Sequence, residues 1–230
     1  MPAQQVQKIR ALLGDPDISS VKQGISLLED LQIHKDNLQQ VIGYSKNCST
    51  IDAVIRSTKG WKHKHYVKVW ILGRLAEQNT QWVLSIKEID LQNKKLVELP
   101  DNIGNLYNLA SLKLGLNQLR QIPLSIGKLS QLKNLELWCN QLTNLPSSIG
   151  NVQQLQTLLV FSNRLSELPN TLGNLIHLHT LHLNLNEFSR FPTAVLSLKN
   201  LKSLMMLSMD SSYCGDHTYL LQSPYLQKQF

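Results

Sequence analysis

The sequence has few cysteines, no long hydrophobic run and no secretory signal pattern. Its three cysteines, Cys48, Cys139 and Cys214, are odd in number, far apart and outside the spacings that metal sites use. The sequence contains no run of about 18 apolar residues, so no membrane span is predicted. No basic start precedes an apolar segment with a small-residue cleavage site. We therefore expect free thiols, a cytoplasmic location and no membrane partner.

Aromatic residues are also scarce, which indicates an aliphatic core. They make up 6% of the chain, against 42% for all hydrophobic residues. The formal net charge is +7, but the 23 Lys and Arg residues are spread along the chain instead of forming one basic stripe. This distribution does not predict a nucleic-acid partner.

A repeat of 23 residues dominates the second part of the chain. Four consecutive units fit the pattern L-x-x-L-x-L-x-x-N-x-L, with aliphatic or aromatic substitutes at some leucine positions. These units begin at Leu109, Leu132, Leu155 and Leu178. Weaker units begin at Ile86 and Leu201, and they carry Lys94 and Met209 where the others carry asparagine. Irregular units at the two ends are typical of repeat arrays.

The second half of each unit is repeated as well. An apolar-proline pair recurs in step with the leucines, at Pro100, Pro123, Pro146, Pro169 and Pro192. An aliphatic residue follows three positions later, and then a glycine, at Gly104, Gly127, Gly150 and Gly173; Leu196 breaks this series. Because proline holds φ near −65°, it suits the start of a short outer helical segment.

These motifs resemble the leucine-rich repeat family. The L-P-x-x-I-G-x-L-x-x-L half is similar to a subtype found in plant Ras-group and bacterial intracellular repeat proteins. The resemblance covers residues 82–210 and implies an α/β solenoid. About six parallel strands would line the concave face, with short helices or 3₁₀ turns on the convex face. It also implies a non-catalytic module that binds a protein or peptide, with a scaffold or signalling role.

One polar position of the repeat has a predicted structural role. The asparagine at position 9 follows the strand, where the chain turns away. Its amide carries two donors and an acceptor, so it can satisfy backbone groups of its own unit and of the next one. We predict such a ladder at Asn117, Asn140, Asn163 and Asn186.

The segments outside the repeats have different patterns. Residues 1–81 show short helical periodicities and are predicted to form an N-terminal helical cap on the array. These periodicities lie near residues 6–13, 21–31, 38–42, 51–55 and 67–75. Residues 211–230 contain three tyrosines and several leucines, and we predict that they form a C-terminal cap or tail over the last repeat.

The candidate binding residues follow from the alternation of side chains along a strand. Positions 3, 5 and 7 of each unit project from the open side of the sheet. They are polar or charged in the first two units, and from the third onward they include an apolar patch with His182 beside it. The predicted partner-binding residues are Glu136, Trp138, Leu159, Phe161, His182, Asn184, Met205 and Leu207. The alternative is that this apolar patch packs against the tail of the chain itself.

No catalytic, cofactor or metal site is predicted. His177, His179 and His182 form H-x-H-x-x-H, but on the repeat register their rings diverge, whereas metal ligands must converge. Cys139 has no clear base beside it. The chain also has no Walker A, kinase or nucleophile-elbow motif.

Two other functions remain open at the level of sequence. The chain could be an adaptor that directs a separate enzyme. Alternatively, the basic stretch at residues 59–68, K-G-W-K-H-K-H-Y-V-K, could bind nucleic acid or anionic lipid. The sequence does not identify the partner or the oligomeric state.

Overall fold

The computed structural model describes residues 3–14, 18–30, 64–77, 81–206 and 221–222. The chain divides into two compact units, Met1–Val83 and Leu84–Phe230. This division falls close to the predicted start of the repeats. The predicted capping roles of residues 1–81 and 211–230 stay predictions.

The first unit is helical, as predicted. Its described helices are α1 (Ala3–Gly14), α2 (Ile18–Asp30) and α3 (Lys64–Glu77), with the short α4 (Gln81–Leu84) at the boundary. Helices α1 and α2 pack together, and their periodic residues Ile9, Leu13, Val21 and Ile25 are buried. The periodicities predicted near residues 38–42 and 51–55 lie outside the described residues.

The second unit is a solenoid built on one sheet. Its strands are β1 (Glu88–Asp90), β2 (Ser111–Lys113), β3 (Asn134–Glu136), β4 (Thr157–Leu159), β5 (Thr180–His182), β6 (Ser203–Met205) and β7 (Leu221–Gln222). Strands β1 to β6 are parallel and lie in chain order, and each residue pairs with the one 23 positions later. Strand β7 pairs antiparallel with β6. The predicted fold class is confirmed.

Short 3₁₀ helices alternate with the parallel strands. They are η1 (Asp101–Asn105), η2 (Leu124–Lys128), η3 (Ser147–Asn151), η4 (Asn170–Asn174) and η5 (Thr193–Ser197). The repeated proline immediately precedes each of them, with φ between −74° and −65°. This is the angle that the pyrrolidine ring imposes, so proline favours the local geometry from which each outer segment starts.

The core lies between the sheet and the 3₁₀ helices. In the four regular units, side chains at repeat positions 1, 4 and 6 are at most 1% exposed. The aliphatic residue of each 3₁₀ helix, such as Ile126 or Ile149, is buried against them. Burying one such side chain contributes about 1.5–3 kcal/mol relative to leaving it exposed. Because one unit cannot enclose its own leucines, neighbouring units share this core.

Asparagines link consecutive units through buried hydrogen bonds. The Asn140 Nδ2 group donates to the carbonyls of Leu137 in its own unit and Leu114 in the preceding unit, both at 3.0 Å. Its Oδ1 atom accepts from the Leu119 N–H group at 3.0 Å. Equivalent hydrogen bonds are made by Asn117, Asn163 and Asn186. Every described turn between these units is therefore tied to its neighbour by one side-chain amide.

The repeated glycine allows the 3₁₀ helices to stack closely. A Cβ atom added to Gly150 would overlap the carbonyl oxygen of Thr171 in the next unit. At Gly173, an added Cβ would lie 2.6 Å from the Ser197 Cβ atom. The exception, Leu196, lies on η5, which is the last 3₁₀ helix among the described residues, and its side chain is 48% exposed. Glycine is therefore present where another 3₁₀ helix packs against the position.

Candidate functional site

The face of the sheet opposite the 3₁₀ helices forms the candidate site. We call it the open face. It consists of repeat positions 3 and 5, which lie in strands β1 to β6, and position 7, which lies two residues after each strand. Positions 4 and 6 between them point into the core. The open face is polar on β1 and β2, and beyond β3 it carries the apolar side chains Leu159, Phe161 and Met205 among polar ones.

Three aromatic side chains lie side by side on the open face. The rings of Trp138 and Phe161 are stacked, with centroids 5.7 Å apart and an interplanar angle of 6°. The Phe161 and His182 rings are 6.5 Å apart and tilted by 50°. We call Trp138, Phe161 and His182 the aromatic row. Stacked rings at such distances contribute about 0.5–1.5 kcal/mol beyond the area they bury.

The protein itself covers part of the Trp138 indole. A Cβ atom added to Gly115, the position-7 residue of the preceding unit, would overlap the indole ring. The ring therefore lies across the backbone of Gly115 on one side and stacks on Phe161 on the other. As a result, Trp138 is half-buried and held in one orientation although it projects from the open face. The sequence pattern predicted only an outward-facing tryptophan.

Carboxylates cluster on the first three strands. The Glu136 Oε2 atom accepts hydrogen bonds from the Gln92 Nε2 atom at 2.8 Å and from the Trp138 Nε1 atom at 3.4 Å. We call Glu88, Asp90 and Glu136 the acidic cluster. Lys113 lies among them on β2, and its ammonium group donates to the Glu88 carboxylate at 2.7 Å. This hydrogen bond, together with the charges of all three carboxylates, raises the pKa of Lys113.

The remaining predicted residues continue the surface toward β6. The sheet pairing joins Glu136, Leu159, His182 and Met205 into one row across β3 to β6. All four are half-exposed. Partial burial lowers the pKa of His182. Leu207 lies outside the described residues.

Asn184 extends the position-7 row beyond the aromatic rings. It is half-exposed, but its Oδ1 atom is buried and accepts no hydrogen bond from the described residues. The backbone carbonyl of Asn184 accepts the Ser162 N–H group at 2.9 Å, which continues the pairing of neighbouring units past the strands.

The basic stretch at residues 59–68 is only partly described. Residues 59–63 lie outside the described part, and the rest belongs to α3. Within that helix Tyr66 and Lys68 are buried. Two residues of the predicted basic surface are therefore not exposed for contact with nucleic acid or lipid.

The described residues form neither a metal-ligand cluster nor a membrane-spanning helix. They contain no group of three or more His, Cys, Asp or Glu side chains placed to hold a metal ion. None of their helices is long and apolar enough to cross a membrane. Cys139 is a free, half-buried thiol.

Two solved structures are similar to parts of this chain. A leucine-rich repeat protein of Leptospira interrogans is 30% identical, with a TM-score of 0.42. That match covers 56% of this chain and 40% of the other. The plant peptide hormone receptor RGFR1, solved in complex with RGF2, is 27% identical, with a TM-score of 0.41. That match covers 54% of this chain and 24% of the receptor.

The chain thus spans less than half the length of either solved structure. No curated protein matches its sequence. The predicted subtype of the repeat stays a prediction. Residues 125–220 match the family described as leucine-rich repeat region.

Proposed function

We propose that the open face binds a protein or peptide and that the chain is a non-catalytic interaction module. The observation that carries this proposal is the aromatic row. Trp138 and Phe161 are half-exposed on the sheet face that the 3₁₀ helices leave uncovered. Exposed aromatic side chains that adjoin one another are typical of surfaces that a partner covers.

The fixed orientation of Trp138 favours this role. Binding usually orders flexible side chains, at a cost of about 0.5–1.5 kcal/mol each. The contacts with Gly115, Phe161 and Glu136 already hold the indole in place. A partner that covers it therefore loses little conformational entropy at this residue, and tryptophan is among the residues that contribute most at interfaces.

The size of the open face favours an extended ligand. Six strands spaced about 4.8 Å apart span about 24 Å, and their open face offers on the order of 400–500 Å². A standard interface buries about 800 Å² on each partner. An extended peptide segment matches the smaller area, and a folded partner would have to contact the rims as well. An adaptor that recruits a separate enzyme would use the same surface.

The proposal is tested by shortening the aromatic row in the full chain. Proteins captured from a native lysate by the wild type would be identified, purified and titrated against Trp138→Ala and Phe161→Ala. We expect each variant to bind about 30-fold more weakly, the effect of losing about 2 kcal/mol at an interface. The matched control is Leu124→Ala on η2, since Leu124 is 69% exposed on the opposite side of the core. Unchanged binding by both aromatic variants, shown to be folded by thermal unfolding, would refute the open face as the site.

A further inference from the structure

We propose that the segment bound by the open face carries a basic side chain that pairs with Glu136, next to an apolar side chain that packs on the aromatic row. This inference rests on the function proposed above and specifies the chemistry of the partner. It follows from the charges and hydrogen bonds of β1 to β3.

The open face has a charge opposite to that of the whole chain. On β1 to β3 it carries the three carboxylates of the acidic cluster and one ammonium group, that of Lys113. The chain as a whole has a formal net charge of +7. Lys113 is hydrogen-bonded to Glu88 and lies between Asp90 and Glu136 in the sheet, so one ammonium group faces three carboxylates and the cluster keeps an excess of negative charge.

Lys87 and Lys133 lie farther from Asp90 and Glu136 than Lys113 does. Lys87 and Lys133 are exposed at repeat position 2, three residues before Asp90 and Glu136. That separation corresponds to about 10 Å along a strand. At physiological ionic strength charges screen one another over about 8 Å. The centre of the open face therefore keeps a negative potential.

Glu136 is prepared for a cationic ligand. The hydrogen bonds that it receives from Gln92 and Trp138 both end on Oε2. They hold the carboxylate in place and leave Oε1 as an acceptor. Because Glu136 is half-buried, a covering partner would remove much of the remaining water. A charged hydrogen bond is stronger in such a setting than on a fully exposed surface.

The apolar side chain in the ligand follows from the distance between Glu136 and the aromatic row. Glu136 pairs with Leu159, the last residue of β4, and Phe161 lies two residues beyond the end of that strand. In an extended ligand that crosses the strands, side chains on one side recur about every 6.6–6.8 Å. A basic residue over Glu136 thus places residue i+2 over β4 or β5. Leu159, Phe161 and His182 form the apolar surface there.

The same charges disfavour other occupants. An acidic peptide or a phosphate-rich ligand would bring negative charge against Asp90 and Glu136. Like charges in such proximity cost free energy, more so when water is excluded. A wholly apolar segment would bury the Glu136 carboxylate without a charged partner, which is also unfavourable.

The test uses a random 12-residue peptide display library selected on the full chain, followed by titration of synthetic peptides. We expect selected peptides to carry Lys or Arg two residues from an aromatic or aliphatic residue. We expect Glu136→Gln to weaken their binding about tenfold or more, because a hydrogen bond to a charged group contributes about 1.5–3 kcal/mol. Glutamine keeps an oxygen that accepts from Gln92 and Trp138, so this variant removes the charge and turns the free oxygen into an amide donor while those two hydrogen bonds stay. Glu167→Gln, an exposed position outside the open face, is the matched control.

A second change separates pairing from general charge effects. Replacing the basic residue of a selected peptide by norleucine should weaken binding to the wild type but have little further effect on Glu136→Gln. Selected peptides that are neutral or acidic, or whose affinity is insensitive to Glu136→Gln, would overturn the inference. If they still depended on Phe161, the proposed function would stand. If no selected peptide depended on Phe161 for binding, both proposals would be refuted.

Discussion

Two sets of positions in the same repeat behave in opposite ways. Position 9 is asparagine in four consecutive units, and each amide makes the same hydrogen bonds to its own and adjacent units, buried in the first three and part-buried at Asn186. Position 7, two residues earlier, is Gln, Gly, Trp, Phe and Asn in the first five units. The repeated positions meet a demand that every unit shares. The varied positions face outward, where nothing in the solenoid requires one side chain.

The physical difference is the cost of an unsatisfied group. A buried N–H or carbonyl group without a partner costs about 1–3 kcal/mol, which favours a residue that satisfies it. Side chains on the open face keep contact with water, and substitutions there have small effects on stability. Chemistry that is specific to this chain therefore lies on the open face. Three experiments would break or sharpen this contrast.

The largest effect is expected from Asn140→Ala. This change leaves the buried Leu119 N–H group without its acceptor and removes the amide donor from the Leu114 and Leu137 carbonyls. We expect the free energy of unfolding to fall by roughly 3–4 kcal/mol, measured by urea denaturation. The control is Asn134→Ala, an exposed asparagine on the open face of the same unit, with an expected change within about 0.5 kcal/mol. Similar losses for both variants would contradict the distinction between the two sets of positions.

An intermediate effect is expected from Gly150→Ala. The added methyl group would overlap the Thr171 carbonyl oxygen and push η3 and η4 apart. Overpacking of this kind costs about 1–3 kcal/mol. Leu196→Ala is the matched control, because it changes the same repeat position where the side chain is exposed. If thermal unfolding showed Gly150→Ala to be as stable as the wild type, close stacking of the 3₁₀ helices would not be the reason for glycine.

The smallest effect concerns pH and the open face. Burial lowers the pKa of His182 below its ordinary value of about 6.5, so the unfolded chain binds this proton more readily than the folded one. The stability that neutral His182 contributes is present above about pH 6.5 and is lost as the pH falls through the lower pKa of the folded protein. We expect His182→Asn to lose less stability than the wild type between about pH 7.5 and about pH 5.0, a range that includes the titration of a histidine. His177→Asn, which removes an exposed imidazole, is the control, and equal losses in the wild type and His182→Asn would contradict the assignment.

Much of the solenoid was predictable because its constraints recur. Every unit must bury leucines at the same depth, so the spacing of Leu112, Leu135 and Leu158 directly indicated the pairing of β2, β3 and β4. The repeated prolines likewise indicated where the outer segments begin. The same register placed Trp138 and Phe161 at neighbouring positions of one sheet face.

Other features had no signal in the sequence. The residue at position 8 has a left-handed backbone in five units, with φ between 52° and 56°, at Asn93, Leu116, Cys139, Ser162 and Leu185. These side chains share no chemistry, and glycine, the usual marker of positive φ, is absent there. The conformation follows from the hydrogen bonds on both sides of the turn, such as that from the Cys139 N–H group to the Phe161 carbonyl. The antiparallel direction of β7 was likewise not predicted.

The sequence by itself determined which side chains enter the shared core, because a buried position of a repeated unit tolerates only residues that fit against its neighbours. It also determined that Trp138 faces away from that core. Only the tertiary structure decided how Trp138 is surrounded, because the contacts with Gly115, Phe161 and Glu136 involve three different strands and their surroundings. Such contacts depend on the distance and tilt between neighbouring units, and alternation along one strand carries no information about either.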